Sequence, residues 1–309
     1  MPANSTPLGA LPARFRRERV LIVGCGDIGL RVAARLETRV SLLALTSSPG
    51  RHGLLRARGI RPLPGNLDHP GQLARLAGLA TRVVHLAPPS TEGPDSLADG
   101  RTGALLAALR RRAAPGVLVY ASPSGVYGDL GGALATEARL PAPATARAWR
   151  RVDAEQRVRH FGRSAGVRAS ILRVPGIYAL DRAGGTPRER LLRGTPVLRP
   201  EDDVYTSHVH ADDLAAAVLA ALWRGRAQRI YNTCDDTRMK MGDYFDLAAR
   251  LLGLTPPPRV ARSTAQAQLP LSMLSFMGES RQLSNDRLKR ELRVRLRHPT
   301  VQSGLASPP

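Results

Sequence analysis

Residues 20–36 read VLIVGCGDIGLRVAARL, an apolar run followed by a glycine-rich turn and then a helix-like pattern. Gly24, Gly26 and Gly29 match the spacing G-x-G-x-x-G, which binds the pyrophosphate of a dinucleotide where it joins a strand to a helix. The first glycine permits a tight turn, the second lets backbone N–H groups approach the phosphates, and the third lets the helix pack closely on the strand. The stretch therefore predicts a dinucleotide site. The predicted loop contacts are Gly24, Gly26, Asp27, Ile28 and Gly29.

Short apolar runs alternate with helix-like stretches from residue 20 to about residue 173. The candidate strands are 19–23, 40–45, 60–63, 82–87, 117–122 and 168–174, and the candidate helices lie near 28–37, 71–78, 96–112 and 146–165. Strands that are apolar throughout and are separated by helices indicate a parallel sheet covered on both faces. The pattern predicts an α/β fold with a Rossmann-type doubly wound parallel sheet, whose ligands bind at the carboxyl ends of the strands.

After residue 175 the pattern loosens into a Gly/Arg/Pro-rich loop, helices at 211–223 and near 240–252, and short strands such as RIYNT at 229–233. These elements predict a smaller C-terminal α+β lobe on the ligand edge of the sheet. The predicted organisation is a flexible tail over 1–18, a dinucleotide-binding Rossmann domain over 19–175 and a substrate-side lobe over 176–305.

The charge balance is strongly basic, with 46 Lys plus Arg against 25 Asp plus Glu and a net charge of +21. The arginines are scattered along the chain without a basic stripe, interleaved aromatic residues or a nucleic-acid-binding motif. The balance favours a small anionic ligand, phosphorylated ligands included, over nucleic acid. Two cysteines form no disulfide framework and fit a reducing cytoplasm. The chain lacks the run of about 18 apolar residues that a membrane span needs.

The end of the second predicted strand favours NADP(H) over NAD(H). An NAD enzyme usually has an Asp or Glu there for the ribose 2′-OH, but residues 38–67 contain no acidic residue. Hydroxyl groups and a guanidinium follow the strand instead, and both suit a 2′-phosphate. These side chains are Thr46, Ser47, Ser48 and Arg51. NAD(H) stays open, because Arg51 is also explained as the start of a solvated helix.

Seven motifs occur in an order that resembles a known superfamily. They are GCGDIG (24–29), GNLD (65–68), HLAPP (85–89), ASPSGVYGD (121–129), VPGIY (174–178), HADDLA (210–215) and SNDRLKREL (284–292). The order resembles the extended and atypical short-chain dehydrogenase/reductases, in particular the bacterial NAD-dependent epimerase/dehydratase-like branch, over residues 19–305. The resemblance implies a Rossmann fold, an NAD(P)-dependent oxidoreductase or epimerase-like activity and a homodimer. It implies further cofactor contacts at Asn66, Leu67, Ala87, Pro88, Ser122, Arg151, Pro175 and Ile177, the last four at the nicotinamide end.

The resemblance breaks at the catalytic positions. Members of the superfamily use a Ser or Thr after the fifth strand and a Tyr-x-x-x-Lys motif, in which the Lys charge favours the tyrosinate. Here Arg147 stands at the Tyr position and Arg151 at the Lys position. The hydroxyl position holds Pro123, flanked by Ser122 and Ser124. Because arginine does not deprotonate in proteins, Arg147 cannot serve as the usual acid/base.

Other groups are candidates for the missing proton chemistry. The predicted catalytic residues are Ser124, Tyr127, Arg147 and Arg151, with His208, His210 and Asp129 as further candidate proton donors. Each donor also has a structural interpretation, such as packing for Tyr127 and capping of the helix near residue 211 for the histidines. No metal site is predicted, because His208 and His210 lack Cys or acidic companions at ligand spacing.

Two functions stay open at this point. The first is an NADP(H)-dependent oxidoreductase or epimerase-like enzyme whose Ser, Tyr and Lys are replaced, acting on a small anionic substrate. Arginines of the second lobe, such as Arg193 and Arg199, are candidates to bind that substrate. The second is a non-catalytic NADP(H)-binding protein with a redox-sensing or regulatory role.

Overall fold

The computed structural model describes residues 18–36, 39–90 and 97–306, so the predicted tail lies outside the described residues except for residue 18. The strands, in chain order, are β1 (Arg19–Val23), β2 (Ser41–Thr46), β3 (Ile60–Pro64), β4 (Arg82–His85), β5 (Val117–Pro123), β6 (Leu134–Ala135), β7 (Arg168–Val174), β8 (Gly176–Tyr178), β9 (Val197–Leu198), β10 (Tyr205–Thr206), β11 (His208–His210), β12 (Arg229–Asn232), β13 (Met239–Lys240), β14 (Arg259–Val260) and β15 (Gln282–Leu283).

The α-helices of the described residues follow the same order. They are α1 (Asp27–Ala34), α2 (His52–Ala57), α3 (Gly100–Arg110), α4 (Ala146–Ser164), α5 (Arg188–Leu192), α6 (Ala211–Arg224), α7 (Met241–Leu252), α8 (Arg262–Gln268), α9 (Leu271–Met277), α10 (Asp286–Glu291) and α11 (Val301–Ala306). Short 3₁₀ helices lie at Pro49–Arg51, Pro70–Leu76 and Ser124–Tyr127. No helix of the described ranges combines the length and the apolar character that crossing a membrane requires.

A seven-stranded parallel sheet forms the centre of the molecule, in the order β12-β7-β5-β4-β1-β2-β3. All six strands predicted from the sequence are in it, which confirms the Rossmann-type fold. The chain reverses its direction of travel across the sheet at β1, whose neighbours are β2 and β4. The carboxyl ends of β1 and β4 therefore flank the crevice where such sheets bind ligands. Pro62 and Pro64 are tolerated because β3 is an edge strand.

Helices cover both faces of this sheet. On one face α1 and α6 pack their buried residues into a core with β1, β2 and β4, and on the other face α3 and α4 pack against β5 and β7. The polar residues Asp99 and Thr145 accept hydrogen bonds from the first turns of α3 and α4, respectively. Such caps define where these helices begin. Because α3 comes after β4 in the chain and α4 comes after β5, both N-termini lie near the carboxyl edge of the parallel sheet.

One strand and one helix that were predicted in the smaller lobe are part of the central layer instead: the strand pairs within the sheet, and the helix packs on its face. Strand β12, which contains most of RIYNT, pairs with β7 from Arg229 to Asn232. Helix α6 packs its Ala- and Leu-rich face into the core beside α1. A short strand can extend an existing sheet wherever its register matches that of an edge strand. The polarity pattern of the short strand does not reveal which edge strand it pairs with. The domain boundary at residue 175 stays a prediction. The chain returns to the central sheet after that residue, at β12.

The remaining elements form a second core outside the sheet. Helix α7 contributes Tyr244, Phe245 and Leu247, and side chains of α5, α8, α9 and α11 surround it. Short strand pairs, β9 with β14 and β10 with β13, connect these helices. Residues of this lobe face the carboxyl ends of β5 and β7 across a cavity.

Candidate functional site: two adjacent cavities

The first cavity lies at the carboxyl ends of β1, β2 and β4 and has a volume of about 400 Å³. We call it the nucleotide cavity. Most of the predicted cofactor contacts line it, although they come from four separate segments, which follow β1, β2, β3 and β4. These residues are Gly24, Gly26, Thr46, Ser47, Ser48, Arg51, Asn66, Leu67, Ala87 and Pro88. The fold thus brings together side chains and backbone that the sequence analysis assigned to one ligand.

The three glycines of the loop have different geometric roles. Gly24 has a φ of +85°, and a Cβ there would lie 2.5 Å from the backbone nitrogen of Ala87. A Cβ on Gly26 would meet no described protein atom within 4 Å, so the open side of the loop faces the cavity. A Cβ on Gly29 would lie 3.2 Å from Ile22 Cγ2, which shows how closely α1 packs on β1. The loop therefore has the backbone shape that fits a pyrophosphate.

Asp27, Ile28 and Gly29 do not line the nucleotide cavity. The carboxylate of Asp27 pairs with Arg31 and with Arg182, each at 3.1 Å. The side chain of Ile28 is buried in the core beside α6. Their positions indicate that these three residues hold the loop in place rather than line the cavity.

Arg51 is the cationic side chain beside the glycine loop. Its Nη2 donates a hydrogen bond to the carbonyl oxygen of Cys25 at 2.7 Å, and its side chain lines the cavity next to Ser47 and Ser48. Burial raises the pKa of the Cys25 thiol to about 11, so this cysteine is a neutral thiol at physiological pH. Arg101, which the sequence analysis missed, also lines the cavity and forms an ion pair with Asp68 at 2.5 Å. The nucleotide cavity is therefore basic.

The second cavity has a volume of about 690 Å³ and lies between the carboxyl ends of β5 and β7 and the smaller lobe. We call it the substrate-side cavity. Pro175 and Ile177, two residues predicted at the nicotinamide end, line it, as do Ser124 and Arg147 of the predicted catalytic set. Residues that the sequence analysis did not assign complete the wall. Among them are Arg190, Tyr205, Met241, Tyr244, Phe245, Phe276 and Arg281.

The remaining predicted residues of this region lie behind the cavity wall. Ser122 is 1% exposed and lines neither cavity. Arg151 is buried, and its Nη1 donates hydrogen bonds to the hydroxyl of Tyr120 at 3.0 Å and to the carbonyl oxygen of Ala121 at 3.4 Å. Arg151 is thus held against β5 and not in the open cavity.

Tyr127 has a structural environment. Its side chain is fully buried, and its hydroxyl donates a hydrogen bond to Asn232 Oδ1 at 2.8 Å. The Arg173 guanidinium covers its ring at 4.5 Å and pairs with Glu155 at 2.7 Å. Burial raises the pKa of the Tyr127 hydroxyl. This position does not support direct proton transfer to a ligand.

Of the further candidate donors, only His208 lines the substrate-side cavity. Its ring lies against that of Tyr244, with centroids 4.3 Å apart, and burial lowers its pKa to about 4, so the imidazole is neutral near pH 7. Asp129 instead accepts hydrogen bonds from the backbone of Gly131 and Ser280, which lower its pKa. His210 caps α6 by accepting from the backbone N–H of Asp212.

The fold also brings His210, Asp212 and His298 together, with one ligand atom from each within 4.8 Å of the others. His298 is distant from the other two residues in the chain, so the sequence pattern did not indicate this group. Its chemistry does not fit a cation. The Nδ1 of His210 is occupied by the cap, and the Asp212 carboxylate pairs with Arg31 at 3.0 Å and Arg35 at 3.5 Å.

A family model described as the NAD-dependent epimerase/dehydratase family matches residues 20–234. Among solved structures, a conserved protein of unknown function from Silicibacter pomeroyi is 27% identical, with 94% of this chain and 97% of that chain covered and a TM-score of 0.75. The UDP-glucose 4-epimerase of Thermotoga maritima, solved with UDP-glucose, is 18% identical, with 93% and 96% covered and a TM-score of 0.76.

The dTDP-glucose 4,6-dehydratase of Streptomyces venezuelae, solved with NAD, is 22% identical, with 93% of this chain and 94% of that chain covered and a TM-score of 0.75. A comparison with functionally curated proteins gave no significant match. The low identities to the last two enzymes support the shared fold alone. The family model covers more than half of the chain, including the glycine loop and both sides of the crevice. The chain therefore belongs to the NAD-dependent epimerase/dehydratase family.

Proposed function

We propose that this protein is an NADP(H)-dependent oxidoreductase or epimerase-like enzyme that acts on a small anionic substrate. One observation carries the proposal. The residues predicted to contact the adenosine, together with Gly24 and Gly26 of the predicted pyrophosphate loop, line the nucleotide cavity, whereas Pro175 and Ile177, predicted at the nicotinamide end, line the substrate-side cavity. This division supports a cofactor that reaches from one cavity towards the other. Bound there, NADP(H) would supply or accept a hydride.

The preference for the phosphorylated cofactor is supported by the side chains after β2. Arg51, Ser47 and Ser48 line the nucleotide cavity, and residues 38–67 contain no carboxylate that would repel a 2′-phosphate. A guanidinium can bind a phosphate through two parallel hydrogen bonds. NAD(H) is the alternative cofactor, since the Streptomyces venezuelae neighbour was solved with NAD.

On the substrate side we assign roles to three residues that line the cavity. The Ser124 hydroxyl is the candidate to donate a hydrogen bond to a substrate oxygen, in place of the hydroxyl that Pro123 lacks. The neutral imidazole of His208 is the candidate proton acceptor. Arg147 keeps a positive charge at the position where the superfamily has its Tyr.

Thermal unfolding with NADPH, NADP⁺, NADH and NAD⁺ tests the cofactor assignment. A ligand at about 100 times its dissociation constant adds about 2.7 kcal/mol to the free energy of unfolding. We expect stabilisation by the phosphorylated pair, and about tenfold to 100-fold weaker NADPH binding in Arg51→Ala, because a charged hydrogen bond is lost. Arg56→Ala is the matched control, since Arg56 is exposed on α2 and lines neither cavity. Stabilisation by NADH alone would refute the NADP(H) preference.

A non-catalytic NADP(H)-binding sensor is the second candidate function. It is favoured by α4, whose sequence contains neither Tyr nor Lys, and by the burial of Tyr127 away from the cavities. Two readouts separate the two functions: the absorbance of the cofactor detects net oxidation or reduction of a substrate, and chromatography of the products detects an epimerisation, which returns the hydride and leaves the absorbance unchanged. The panel of substrates includes UDP-glucose, which the Thermotoga maritima neighbour was solved with. Turnover with any member supports the enzyme, whereas tight NADPH binding without turnover across the panel supports the sensor.

The homodimer and the cytoplasmic location stay predictions from the resemblance and the composition. Sedimentation of the purified protein measures the first, and a species of one chain at micromolar concentration would contradict it. A titration with duplex DNA at physiological ionic strength measures the expected preference for small molecules over nucleic acid. Binding that persists at that salt concentration would contradict the preference.

A further inference from the structure

Arg190 is a cation of the substrate-side cavity whose sequence context carries no motif. It lies on the short helix α5, is half-buried and lines the cavity beside α7. Its guanidinium carbon lies 4.4 Å from the centroid of the Phe245 ring. Its Nε and Nη2 atoms are buried and have no hydrogen-bond partner among the described residues. The side chain is thus held by packing, with its hydrogen-bonding capacity unused.

No carboxylate of the described residues lies within 4 Å of the Arg190 guanidinium, whereas two other cations of this region are paired. Arg281, in the same cavity, pairs with Glu279 at 2.5 Å, and the buried Arg173 pairs with Glu155 at 2.7 Å. Burial lowers the pKa of Arg190, and the positive charge of Arg193 acts in the same direction. An uncompensated cation at a half-buried position is unfavourable. An anion in the cavity would remove this cost.

The cavity around Arg190 is largely apolar. Tyr244 and Phe245 of α7 form one wall, and Ile177, Met241 and Phe276 extend it. Phe276 is 61% exposed, so the aromatic surface reaches the cavity mouth. His208, stacked on Tyr244, is neutral and adds no charge. A ligand that fits this wall has a planar or apolar body.

We propose that the substrate-side cavity binds an organic anion with a planar, apolar body, and that Arg190 holds its carboxylate or phosphate group. The proposal rests on the proposed function only in taking this anion to be the substrate. Arg147 provides a second positive charge at the same cavity. It is exposed and has no polar partner among the described residues, so solvent screens its charge more strongly. Arg193 and Arg199 do not line the cavity, and Arg199 pairs with Glu201 at 3.7 Å. The anion-binding arginine is therefore one that the sequence did not indicate.

The test uses two fluorescent probes that share one ring system, anilinonaphthalene sulfonate, which is anionic, and phenylnaphthylamine, which is neutral. Both are titrated into the full chain with NADPH at saturation, so that the nucleotide cavity is blocked. Arg190→Met keeps an apolar side chain against Phe245 and removes the charge. We expect its affinity for the sulfonate to fall about tenfold or more, while its affinity for phenylnaphthylamine stays within twofold.

Arg193→Met is the matched control, since it removes an exposed arginine one residue beyond α5. Arg190→Lys keeps a charge without the planar fork and should retain part of the sulfonate affinity. Equal sulfonate affinities in the native protein, Arg190→Met and Arg193→Met would overturn the proposal. Thermal unfolding of each variant shows that it is folded.

Displacement of the sulfonate probe distinguishes the chemistry of the anion. Naphthoate and naphthyl phosphate represent the two acids, and naphthylmethanol is the neutral control. Displacement by either acid, but not by the alcohol at the same concentration, supports the proposal. Equal displacement by the alcohol contradicts it.

The two proposals fail in different ways. If NADPH does not bind, the probe titration is repeated without it, and an effect of Arg190→Met would still establish the anion site. If NADPH binds and is consumed, but Arg190→Met leaves the sulfonate affinity unchanged, the proposed function stands and the anion site is refuted.

Discussion

The two cavities lie at the carboxyl edge of one sheet but are built differently. The nucleotide cavity depends largely on the backbone of loops that follow consecutive strands, with the positive φ of Gly24 and the open side of Gly26 at its centre. The substrate-side cavity depends on side chains from segments that are far apart in the chain, such as Ser124, Arg190 and Phe276. The fold fixes the backbone conformation of these loops, whereas side chains that line a cavity can be substituted while the fold stays the same. The backbone of the glycine loop and the side chains of the substrate-side wall can therefore vary independently.

The largest expected effect comes from the buried ion pair beneath the substrate side. In Glu155→Gln the Arg173 charge stays buried without its counter-charge, so the free energy of unfolding should fall by about 3–5 kcal/mol. Urea unfolding measures it. Glu189→Gln removes an exposed carboxylate of α5 and should change stability by less than about 0.5 kcal/mol. A loss below about 1 kcal/mol for Glu155→Gln would show that the substrate side does not depend on this pair.

Two glycine substitutions test separately the backbone conformation of the loop and the space that it leaves for a ligand in the nucleotide cavity. Gly24→Ala places a Cβ at positive φ and 2.5 Å from the Ala87 nitrogen, so unfolding should become easier by about 2–4 kcal/mol. Gly26→Ala meets no described protein atom within 4 Å. It should leave stability within about 1 kcal/mol but weaken NADPH binding about tenfold or more, because its methyl group enters the space predicted for the pyrophosphate. Unchanged NADPH affinity in Gly26→Ala would contradict this position for the cofactor.

The neutral histidine of the substrate side predicts a smaller, pH-dependent effect. Burial lowers the pKa of His208 to about 4, whereas an unfolded histidine titrates near about 6.5. Between these pH values the unfolded chain binds the extra proton, so the stability is full above about pH 6.5 and is lost as the pH falls towards 4. His208→Gln should therefore lose less stability than the native protein between pH 7 and pH 5, by about 1–2 kcal/mol.

Other buried groups also titrate in this range, so the measured quantity is the difference between native and variant pH profiles. Asp235 acts in the opposite direction, because burial raises its pKa to about 7 and its protonation stabilises the fold as the pH falls. His85, with its pKa lowered by burial to about 3, acts in the same direction as His208. His160→Gln, at an exposed position of α4, is the matched control. Identical pH profiles for His208→Gln and the native protein would show that His208 does not stay neutral.

Local hydrophobic patterns in the sequence predicted much of the secondary structure correctly. All six strands predicted from apolar runs are present, and the helices at 28–37 and 146–165 correspond to α1 and α4. The strand β12 and the helix α6 were expected in the smaller lobe because they follow residue 175 in the chain. Their partners β7 and α1 are distant in sequence, and strand pairing is chosen by register and burial across the sheet. Local polarity does not report that choice.

The candidate site likewise contains residues that the sequence could indicate and residues that only the structure identifies. The glycine loop and the hydroxyl-rich segment with Arg51 were recognisable because each is a short contiguous motif with a defined position after a strand. Tyr127 was a candidate donor in the sequence, but the structure buries it against Arg173 and Asn232. Arg190 lies in an arginine-rich stretch where nothing distinguishes it from Arg193. Only the packing of Arg190 against Phe245 and its position in the wall of the substrate-side cavity distinguish the two.

The sequence by itself determined the Rossmann-type sheet and the glycine loop, and it predicts that Arg147 and Arg151 stand at the usual Tyr and Lys positions. These features depend on periodicity and on contiguous motifs, whose physical cause is local. The tertiary structure alone decided which polar groups reach the substrate-side cavity and which are buried behind it. Desolvation and charge pairing depend on neighbours from distant segments. Of the residues proposed from the sequence, Ser124, Arg147 and His208 line the substrate-side cavity, and Arg190 became a candidate for substrate contact only once the chain was folded.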